Sequence, residues 1–308
     1  MTLTQLRFAA AVARARSFSG AATACHVSQP SLSAAVAKLE AELGGPLFAR
    51  TTRRVDVTAL GAALLPLVTG VLDAVDHVAA AAEAARAPGR RIVRLGLSPL
   101  VSTPVLARML DGFSRQRADV AVVLKQCFLD DLRDRLDRGG LDVAAVPAGF
   151  GGRSFDRCAF YADPLHYLPA EAAADAGGVT GPIALKTIAA DTFVLSADGC
   201  GLTPFVRALF RRHGHRLREY PGAALNHQVI EEWASLGLGA GLLPLRKLAS
   251  GHRRTRPVVL RSGQPVLVRY ELVWKARGGG GAHVTALIRH FRAHGADASA
   301  ARDRGGPS

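Results

Sequence analysis

Residues 17–65 read SFSGAATACHVSQPSLSAAVAKLEAELGGPLFARTTRRVDVTALGAALL. An amphipathic pattern over residues 3–12 precedes this stretch, and a second, short helical pattern begins near Ser19. After a turn, Ser28 can cap a third helix, because its hydroxyl can accept a hydrogen bond from the backbone N–H of Ser31. The apolar residues of that third helix predict one buried stripe: Leu32, Val36, Leu39 and Leu43. The pattern therefore predicts a group of three short helices.

The solvent face of the third helix is small and uncharged, where an ordinary surface helix carries Glu and Lys. Its residues are Gln29, Pro30, Ser31, Ser33, Ala34 and Ala37. Such a helix can lie close in the major groove of DNA, where Gln can pair with adenine and Ala can contact a thymine methyl group. A small-residue helix packed against another domain is the alternative interpretation.

An arginine-rich hairpin follows the third helix. Residues 47–48 and 55–57 alternate as two short strands, and Arg50, Arg53 and Arg54 lie around the turn between them. A hairpin beside a reading helix is a wing, and arginine side chains suit phosphates or a narrow minor groove. Arginines in an isolated loop would indicate only a solvated surface, but their position next to this helix favours contact with DNA.

Residues 17–65 resemble the winged helix-turn-helix of LysR-type transcriptional regulators. The shared motifs, in the family's order, are Ser28-Gln29-Pro30-Ser31-Leu32-Ser33, Lys38-Leu39-Glu40, Leu43-Gly44, Leu47-Phe48-x-Arg50 and Thr58-x-x-Gly61. The resemblance implies that the following residues face DNA: Gln29, Pro30, Ser31, Ser33 and Lys38 on the helix, and Arg50, Arg53 and Arg54 in the wing. Many members have Arg or Gln directly after the position of Ser33, whereas this chain has Ala34-Ala35. We therefore expect fewer polar contacts from the middle of the helix, and DNA recognition that depends more on Gln29, the wing and DNA shape.

A single long helix is predicted after the hairpin. Thr58 can cap it, and an apolar seam follows at spacings of three or four: Leu60, Leu64, Leu67, Val71, Val75, Val78 and Ala82. Such a helix has no core of its own to bury the seam, so pairing with the same helix of a second chain is expected. The alternative is a helix lying on its own following domain, and Pro66 could bend it. In the LysR-type family the corresponding segment is a dimerisation linker.

From Arg90 onward, strand-like runs alternate with helical patterns, which predicts an α/β domain with parallel strands. Residues 95–110 and 193–210 share a strand that ends in Leu-Ser, a short loop, Thr-Pro and a helix, so two similar subdomains are expected. Their helix N-termini would face a small-anion site. The predicted lining is Ser98, Ser102, Thr103, Ser196, Gly201 and Thr203, with His227 from a further helix. Ordinary helix capping is the alternative for each hydroxyl.

This region is also similar to the effector domain of the LysR-type family, which resembles type 2 periplasmic binding proteins. Residues 295–308 are small and polar, and they are expected to form a disordered tail. The resemblance implies an α plus α/β protein with three segments before that tail. They are a winged helix-turn-helix at 1–58, a linker and dimerisation helix at 59–89 and an effector domain at 90–294. It also implies two lobes, one of residues 90–161 and 266–294 and the other of residues 162–265.

Composition limits the class of protein. The 308 residues suit two or three domains, and 39 Lys and Arg against 25 Asp and Glu give a net charge of +14, which favours an anionic partner. The four cysteines lie far apart, which excludes a zinc ribbon or a disulfide framework. The N-terminal residues lack the pattern of a secretory signal, and the longest apolar run is too broken for a membrane span. A cytoplasmic protein is expected.

These features predict a sequence-specific, DNA-binding transcription regulator controlled by a small anionic metabolite bound between the lobes. The expected partners are double-stranded DNA, the effector and a second copy of the chain. The family implies a tetramer, with RNA polymerase as a further candidate partner. No catalytic motif is found, and no cofactor or metal is expected; His290 and His294 are read as a solvated pair. The alternatives are a solute-binding protein or an enzyme with the same two lobes, and a redox role for Cys200.

Overall fold

The computed structural model describes residues 1–50, 55–86, 91–170, 181–196, 198–249, 255–276 and 281–300. The chain divides into two compact units, Met1–Pro88 and Gly89–Ser308. Three parts of the predictions lie outside the described residues. They are Arg53 and Arg54 of the wing, residues 87–89 at the end of the linker, and residues 301–308 of the tail.

Three short helices form the core of the first unit: α1 (Leu3–Ala15), α2 (Phe18–Ala24) and α3 (Gln29–Glu42). Ser28 caps α3 as predicted, and its Oγ accepts the N–H of Ser31 at 3.3 Å. Leu32, Val36 and Leu39 are fully buried among the apolar side chains of α1 and α2. The predicted helices and the buried stripe of α3 are therefore confirmed, with Leu43 only half-buried at the end of the helix.

The wing and the long helix complete this unit. Strands β1 (Phe48–Arg50) and β2 (Val55–Val57) pair antiparallel, and α4 (Ala59–Arg86) follows directly. Thr58 caps α4 as predicted, because its Oγ1 accepts the N–H of Gly61 at 3.0 Å. The same hydroxyl donates to the carbonyl of Pro46 at 2.6 Å. A side chain at Gly61 would collide with the carbonyl oxygen of Leu47, which explains why glycine stands there.

The second unit alternates strands and helices. Its first elements are β3 (Arg91–Leu97), α5 (Thr103–Gln116), β4 (Val120–Gln126), α6 (Leu129–Asp137), β5 (Val143–Pro147) and β6 (Phe155–Leu168). The next are β7 (Ile183–Ala184), α7 (Leu185–Ile188), β8 (Thr192–Ser196), α8 (Leu202–Arg212), β9 (Arg218–Ala224) and α9 (His227–Ser235). The last are β10 (Gly241–Pro244), β11 (Arg256–Val259), β12 (Leu267–Lys275) and α10 (Ala282–Ala300).

Two long strands join the two lobes of this unit. The main sheet has the order β4-β3-β5-β12-β6-β11-β7, with β10 also paired to β6, and β8 and β9 form a separate parallel pair. Strand β3 runs parallel to β4 and β5, as predicted. Strands β6 and β12 pair antiparallel along most of their length and pass from one set of elements to the other. The expected two-lobed α/β architecture is confirmed.

The last helix corrects two expectations. Helix α10 continues to Ala300, so residues 295–300 are helical rather than part of a disordered tail. Gly295 is buried because its lack of a side chain lets the helix backbone approach Phe160, whose Cα would be 2.7 Å from an added Cβ. His290 is also buried, not solvated: its Nε2 lies 3.0 Å from the carbonyl oxygen of Met109, in space left by Gly112.

Candidate nucleic-acid interface and interlobe site

Helix α3 presents the predicted residues on its surface. Gln29, Pro30, Ser31 and Lys38 are exposed, and Ser33 is half-buried. The first turn contains no acidic side chain that would oppose a phosphate, and the N-terminal N–H groups carry the positive end of the helix dipole. The hydroxyls of Ser28 and Ser31 lie 2.7 Å apart at this end. The chemistry of the face suits a groove of DNA, and the individual base contacts stay a prediction.

Glu40 holds the wing beside α3. Its Oε1 accepts the backbone N–H of Leu47 at 2.8 Å and that of Phe48 at 3.1 Å, so one carboxylate fixes the start of β1. Arg50 lies at the end of β1, paired with Val55 across the hairpin. The sequence motif contained Glu40 but gave no sign of this role, because its partners are backbone groups.

The apolar seam of α4 is buried at its start and exposed farther along the helix. Leu60, Leu64 and Val68 pack against the core of the first unit. Leu67 and Val78 remain 64% and 70% exposed. At 100° per residue the seven seam positions stay within about 80° of one another, so they form one stripe, and the first unit covers only its start at Leu60 and Leu64. The outer face is therefore apolar and uncovered in the single chain.

Between the lobes, three of the predicted hydroxyls bond to the protein itself. Ser98 Oγ donates to the carbonyl of Cys200 at 2.8 Å and accepts the N–H of Leu100 at 3.2 Å. Thr203 Oγ1 donates to the carbonyl of Ser196 at 2.7 Å, and the Ser196 hydroxyl lies 3.5 Å from that of Thr203. The structure thus brings both repeated loops together: the Ser98 hydroxyl links one loop to the other, and the Thr203 hydroxyl stabilises the second loop internally.

Ser102 differs from that group. Its side chain is 2% exposed, and within the described residues its Oγ has no hydrogen-bond partner. Its backbone N–H donates to the hydroxyl of Tyr161 at 2.7 Å, and it caps α5 without a side-chain cap bond. A buried hydroxyl without a partner costs free energy, so a ligand atom that accepts its proton would be favoured. Thr103, next to it, is exposed.

A lysine that sequence reasoning missed lies in the same region. Lys247 Nζ donates to the carbonyl of Val101 at 2.7 Å, and burial lowers the pKa of Lys247 to about 8. Burial, followed by the Lys247 charge, lowers the pKa of His227 to about 4, so His227 is neutral at pH 7. His227 Nε2 lies 3.8 Å from Cys200 Sγ. No pattern marks Lys247, which lies in a basic stretch of the chain.

A buried ion pair holds the strand that joins the lobes. Arg246 donates to Asp163 through its backbone N–H at 3.0 Å and through Nη1 at 3.1 Å, and both side chains are almost fully buried. The Arg246 guanidinium lies 5.9 Å from the Tyr161 ring centre, and the Tyr161 and Tyr270 rings stack at 4.2 Å. Burial raises the pKa of Tyr161, so its hydroxyl stays protonated.

A cavity of about 480 Å³ is lined by residues of both lobes. Of the predicted effector residues, only Gly201 lines it. Gly201 has a φ of +92°, and a Cβ there would lie 2.7 Å from Pro147 Cγ, so the loop can approach the other lobe only with glycine. The rest of the wall comes from α6, the loop after β5, α8 and the start of β12. Of these, α8 lay within the repeated pattern of residues 193–210, and the sequence motifs marked none of the others.

The described residues contain no helix with the length and apolar character needed to cross a membrane. They also contain no group of three or more His, Cys, Asp or Glu side chains arranged to hold a metal ion.

A DNA-reading winged helix-turn-helix joined by a long helix to a two-lobed α/β unit defines a transcriptional regulator with a ligand-binding part. Two family profiles match nearly the whole chain. "Bacterial regulatory helix-turn-helix protein, lysR family" matches residues 3–62, and "LysR substrate binding domain" matches residues 86–296. The chain belongs to the LysR family of bacterial transcriptional regulators.

Curated relatives are regulators as well. The chain is 43% identical over 153 residues to a "Probable hydrogen peroxide-inducible genes activator" of Mycobacterium avium, a match that covers 49% of this chain and 49% of that protein. It is 30% identical over 283 residues to "HTH-type transcriptional regulator IlvR" of Caulobacter vibrioides, covering 89% of this chain and 92% of the relative. The chain therefore spans about half the length of the first relative and most of the second. A solute-binding protein or an enzyme is not favoured.

Solved structures share the fold. "Crystal structure of full-length CbnR complexed with the target DNA complex" aligns with a TM-score of 0.62 at 19% identity, covering 96% of this chain and 99% of that one. "Corynebacterium glutamicum OxyR C206 mutant" aligns with a TM-score of 0.59 at 24% identity, covering 97% and 93%. At these identities the likeness concerns the fold.

Proposed function

We propose that this chain binds a specific DNA sequence through α3 and the wing and regulates transcription in response to a small anionic ligand bound between its two lobes. The observation that carries the proposal is the exposed, uncharged face of α3 beside a hairpin fixed by Glu40. Gln29, Pro30, Ser31, Ser33 and Lys38 would contact the major groove. Arg50, Arg53 and Arg54 would contact phosphates or the minor groove. The site of action is the cytoplasm, where bacterial DNA lies.

A retardation assay with the region upstream of the chain's own gene tests DNA binding. Gln29→Ala is expected to lower affinity roughly 5- to 100-fold and to relax sequence preference, since a bidentate base contact is worth about 1–3 kcal/mol. Gln264→Ala, an exposed glutamine of the second unit, is the matched control. The assigned reading surface is wrong if Gln29→Ala leaves both affinity and sequence preference unchanged.

We propose a homodimer through the exposed apolar face of α4, with a tetramer as the assembly implied by the family and RNA polymerase as a further partner. An uncovered apolar stripe on a helix of 28 residues is stabilised when a second copy buries it. Two reading helices on one duplex would then match a two-fold symmetric site.

The ligand is proposed to be an anion because the polar groups near the start of α5 are hydrogen-bond donors or carry positive charge. The hydroxyl of Ser102, which has no partner among the described residues, the N-terminus of α5 and the ammonium of Lys247 are all donors or positive groups. Ser98, Ser196, Thr203 and Gly201 would hold the loops in place, and Thr103 and His227 would complete the lining. A ligand can act only through different affinities for two arrangements of the lobes. Ser102→Ala should weaken whichever anion raises the melting temperature in a metabolite screen.

Peroxide is a second candidate signal, favoured by the named function of the Mycobacterium avium relative and by one contact. Cys200 Sγ lies 3.8 Å from His227 Nε2 and 3.4 Å from the hydroxyl of Ser196. The thiolate would attack H₂O₂, forming an S–O bond while the O–O bond breaks and hydroxide leaves. Labelling with dimedone after peroxide treatment should mark Cys200, and Cys200→Ser should remove the label. Absence of label at Cys200 excludes this signal.

A further inference from the structure

Two stacked histidines lie on α10 where this helix packs on α5. The ring of His290 fits against Gly112 of α5, where an added Cβ would lie 3.3 Å from two of the ring atoms. The rings of His290 and His294 stand 4.4 Å apart, with 30° between their planes. Because His290 is only 7% exposed, the two helices enclose one imidazole of this pair.

The hydrogen bonds of His290 fit the neutral ring. Its Nε2 lies 3.0 Å from the carbonyl oxygen of Met109, and a carbonyl only accepts, so Nε2 carries the proton and donates. Its Nδ1 is buried and has no hydrogen-bond partner among the described residues. A second proton would place an N–H group without an acceptor on a charged ring that is shielded from water, which costs free energy.

No carboxylate pairs with His290 within the described residues. The groups that face its ring are Met109, Gly112 and Phe113 of α5 and Phe291 and His294 of α10, and of these only His294 titrates. The charged side chains of both helices are exposed: Arg108, Asp111, Arg115, Arg289 and Arg292. On the strands packed against α10, Arg94 is paired with Asp142, and Cys158 lies beside Arg292. Burial, followed by the neighbouring His294, therefore lowers the pKa of His290 from its ordinary value of 6.5.

Helix α10 also supports β6, the strand that runs from one lobe to the other. Phe291, next to His290, packs edge-on against Phe160 of β6, with ring centres 5.3 Å apart. The backbone at Gly295 approaches the same residue. Helix α5 supports the next position of β6, because the N–H of Ser102 donates to the hydroxyl of Tyr161. The contact between α5 and α10 thus joins two supports of the strand that connects the lobes.

We propose that His290 is a proton-sensitive latch, meaning that its neutral ring holds α10 on α5 and that its protonation in mild acid releases α10. The released ring takes up a proton more readily than the enclosed one, so the contact weakens as the pH falls below the ordinary pKa. The latch itself does not depend on the proposed function. A regulatory consequence, a changed arrangement of the two lobes in acid, rests on that function.

Hydrogen exchange of the full chain at pH 7.5 and 5.5, read by mass spectrometry and corrected for the intrinsic rate, tests the latch. We expect the protection of α10 to fall about 3- to 10-fold, because one added proton with an ordinary pKa of 6.5 favours the open form by up to about tenfold. His290→Gln can still donate to the Met109 carbonyl but does not titrate, so it should lack this fall. His213→Gln removes an exposed histidine and is the matched control, which should behave like the parent chain.

A direct titration needs no variant and therefore stays informative if His290→Gln folds poorly. Deuterium exchange at the imidazole C2 position, also read by mass spectrometry, gives the pKa of each histidine, and that of His290 should lie below 6.5. Three results would overturn the proposal: unchanged protection of α10 between the two pH values, an equal fall in His290→Gln and the parent, or a His290 pKa of 6.5 or above. DNA retardation at pH 7.5, where His290 is neutral, measures the proposed function separately.

Discussion

In the first unit, a single side chain fixes the wing beside helix α3. Glu40 is half-buried and satisfies two backbone N–H groups at the start of the wing, while Ser31 of α3 is exposed. Charge-assisted bonds of this kind are about twice as strong as neutral ones. The position of the wing therefore depends on one carboxylate that does not itself contact the predicted DNA surface.

Replacing Glu40 by Ala should lower the free energy of unfolding by about 1–3 kcal/mol, because two partly buried N–H groups lose their acceptor. Urea denaturation measures this, and DNA affinity should fall with it as the wing loosens. Glu42→Ala is the control, since Glu42 is exposed and contacts the N-terminal ammonium. Equal effects of the two substitutions would contradict the role given to Glu40.

Lys247 should make stability depend on pH in the alkaline range. Its pKa is about 8 in the folded chain and 10.5 as the ordinary value, so the unfolded chain binds more protons between these pH values. Stability therefore rises from pH 8 to about 10.5 by roughly 2–3 kcal/mol from this group alone. Lys247→Met should lack this rise. Urea denaturation of both proteins from pH 7.5 to 10.5 measures it, and parallel pH profiles would refute the buried ammonium.

At the scale of the element, α4 packs against the first unit and also has an exposed apolar surface. One face, with Val68 at its centre, packs on the core of the first unit, while Leu67, Val71 and Val78 are exposed. The sequence predicted the length and the apolar character of this helix correctly. It could not show how far along the helix the seam is covered, because that depends on where the core of the first unit ends.

The exposed face predicts an effect on assembly without an effect on folding. The double change Leu67→Lys and Val78→Lys should convert a dimer into a monomer in analytical ultracentrifugation, because two charges would have to be buried in the contact. The far-UV circular dichroism should stay unchanged. Ala62→Lys, another exposed position on α4, is the control and should keep the dimer. A dimer that survives the double change would place the interface elsewhere.

At the scale of the whole molecule, the positive charge is not confined to the first unit, which contains the winged helix-turn-helix. The net charge is +14, and several exposed arginines lie near the end of α8, including Arg211, Arg212 and Arg216. Arg211 and Arg212 lie in the last turn of α8, where positive side chains interact favourably with the helix dipole, so these two have a structural explanation that needs no partner. An additional contact with DNA is the alternative.

Salt dependence separates these two interpretations. Each phosphate that the protein neutralises adds about 0.9 to the slope of log affinity against log salt. Changing Arg211, Arg212 and Arg216 to Gln should leave the slope unchanged, whereas Arg53→Gln with Arg54→Gln should reduce it by about one to two for each protomer bound. Retardation assays from 50 to 200 mM salt measure both. A reduced slope in the first variant would show that α8 also contacts DNA.

The sequence by itself determined the winged helix-turn-helix and the general architecture of the second unit. The cap at Ser28, the buried stripe of α3 and the arginine hairpin depend on spacing along the chain, and local spacing is what periodicity and capping rules detect. The repeated Leu-Ser, loop, Thr-Pro pattern likewise predicted two related loops, which the structure brings together through Ser98 and Cys200.

Only the tertiary structure decided which of these groups are available to a ligand. The hydroxyls of Ser98 and Thr203 donate to the backbone carbonyls of Cys200 and Ser196, while Ser102 keeps a buried hydroxyl without a partner in the described part of the chain. Lys247 lies 146 residues from Val101, the residue whose carbonyl it contacts. Residues so distant in sequence meet only after the chain has folded, and the hydrogen bonds that form at that moment depend on burial and geometry, which no local pattern records.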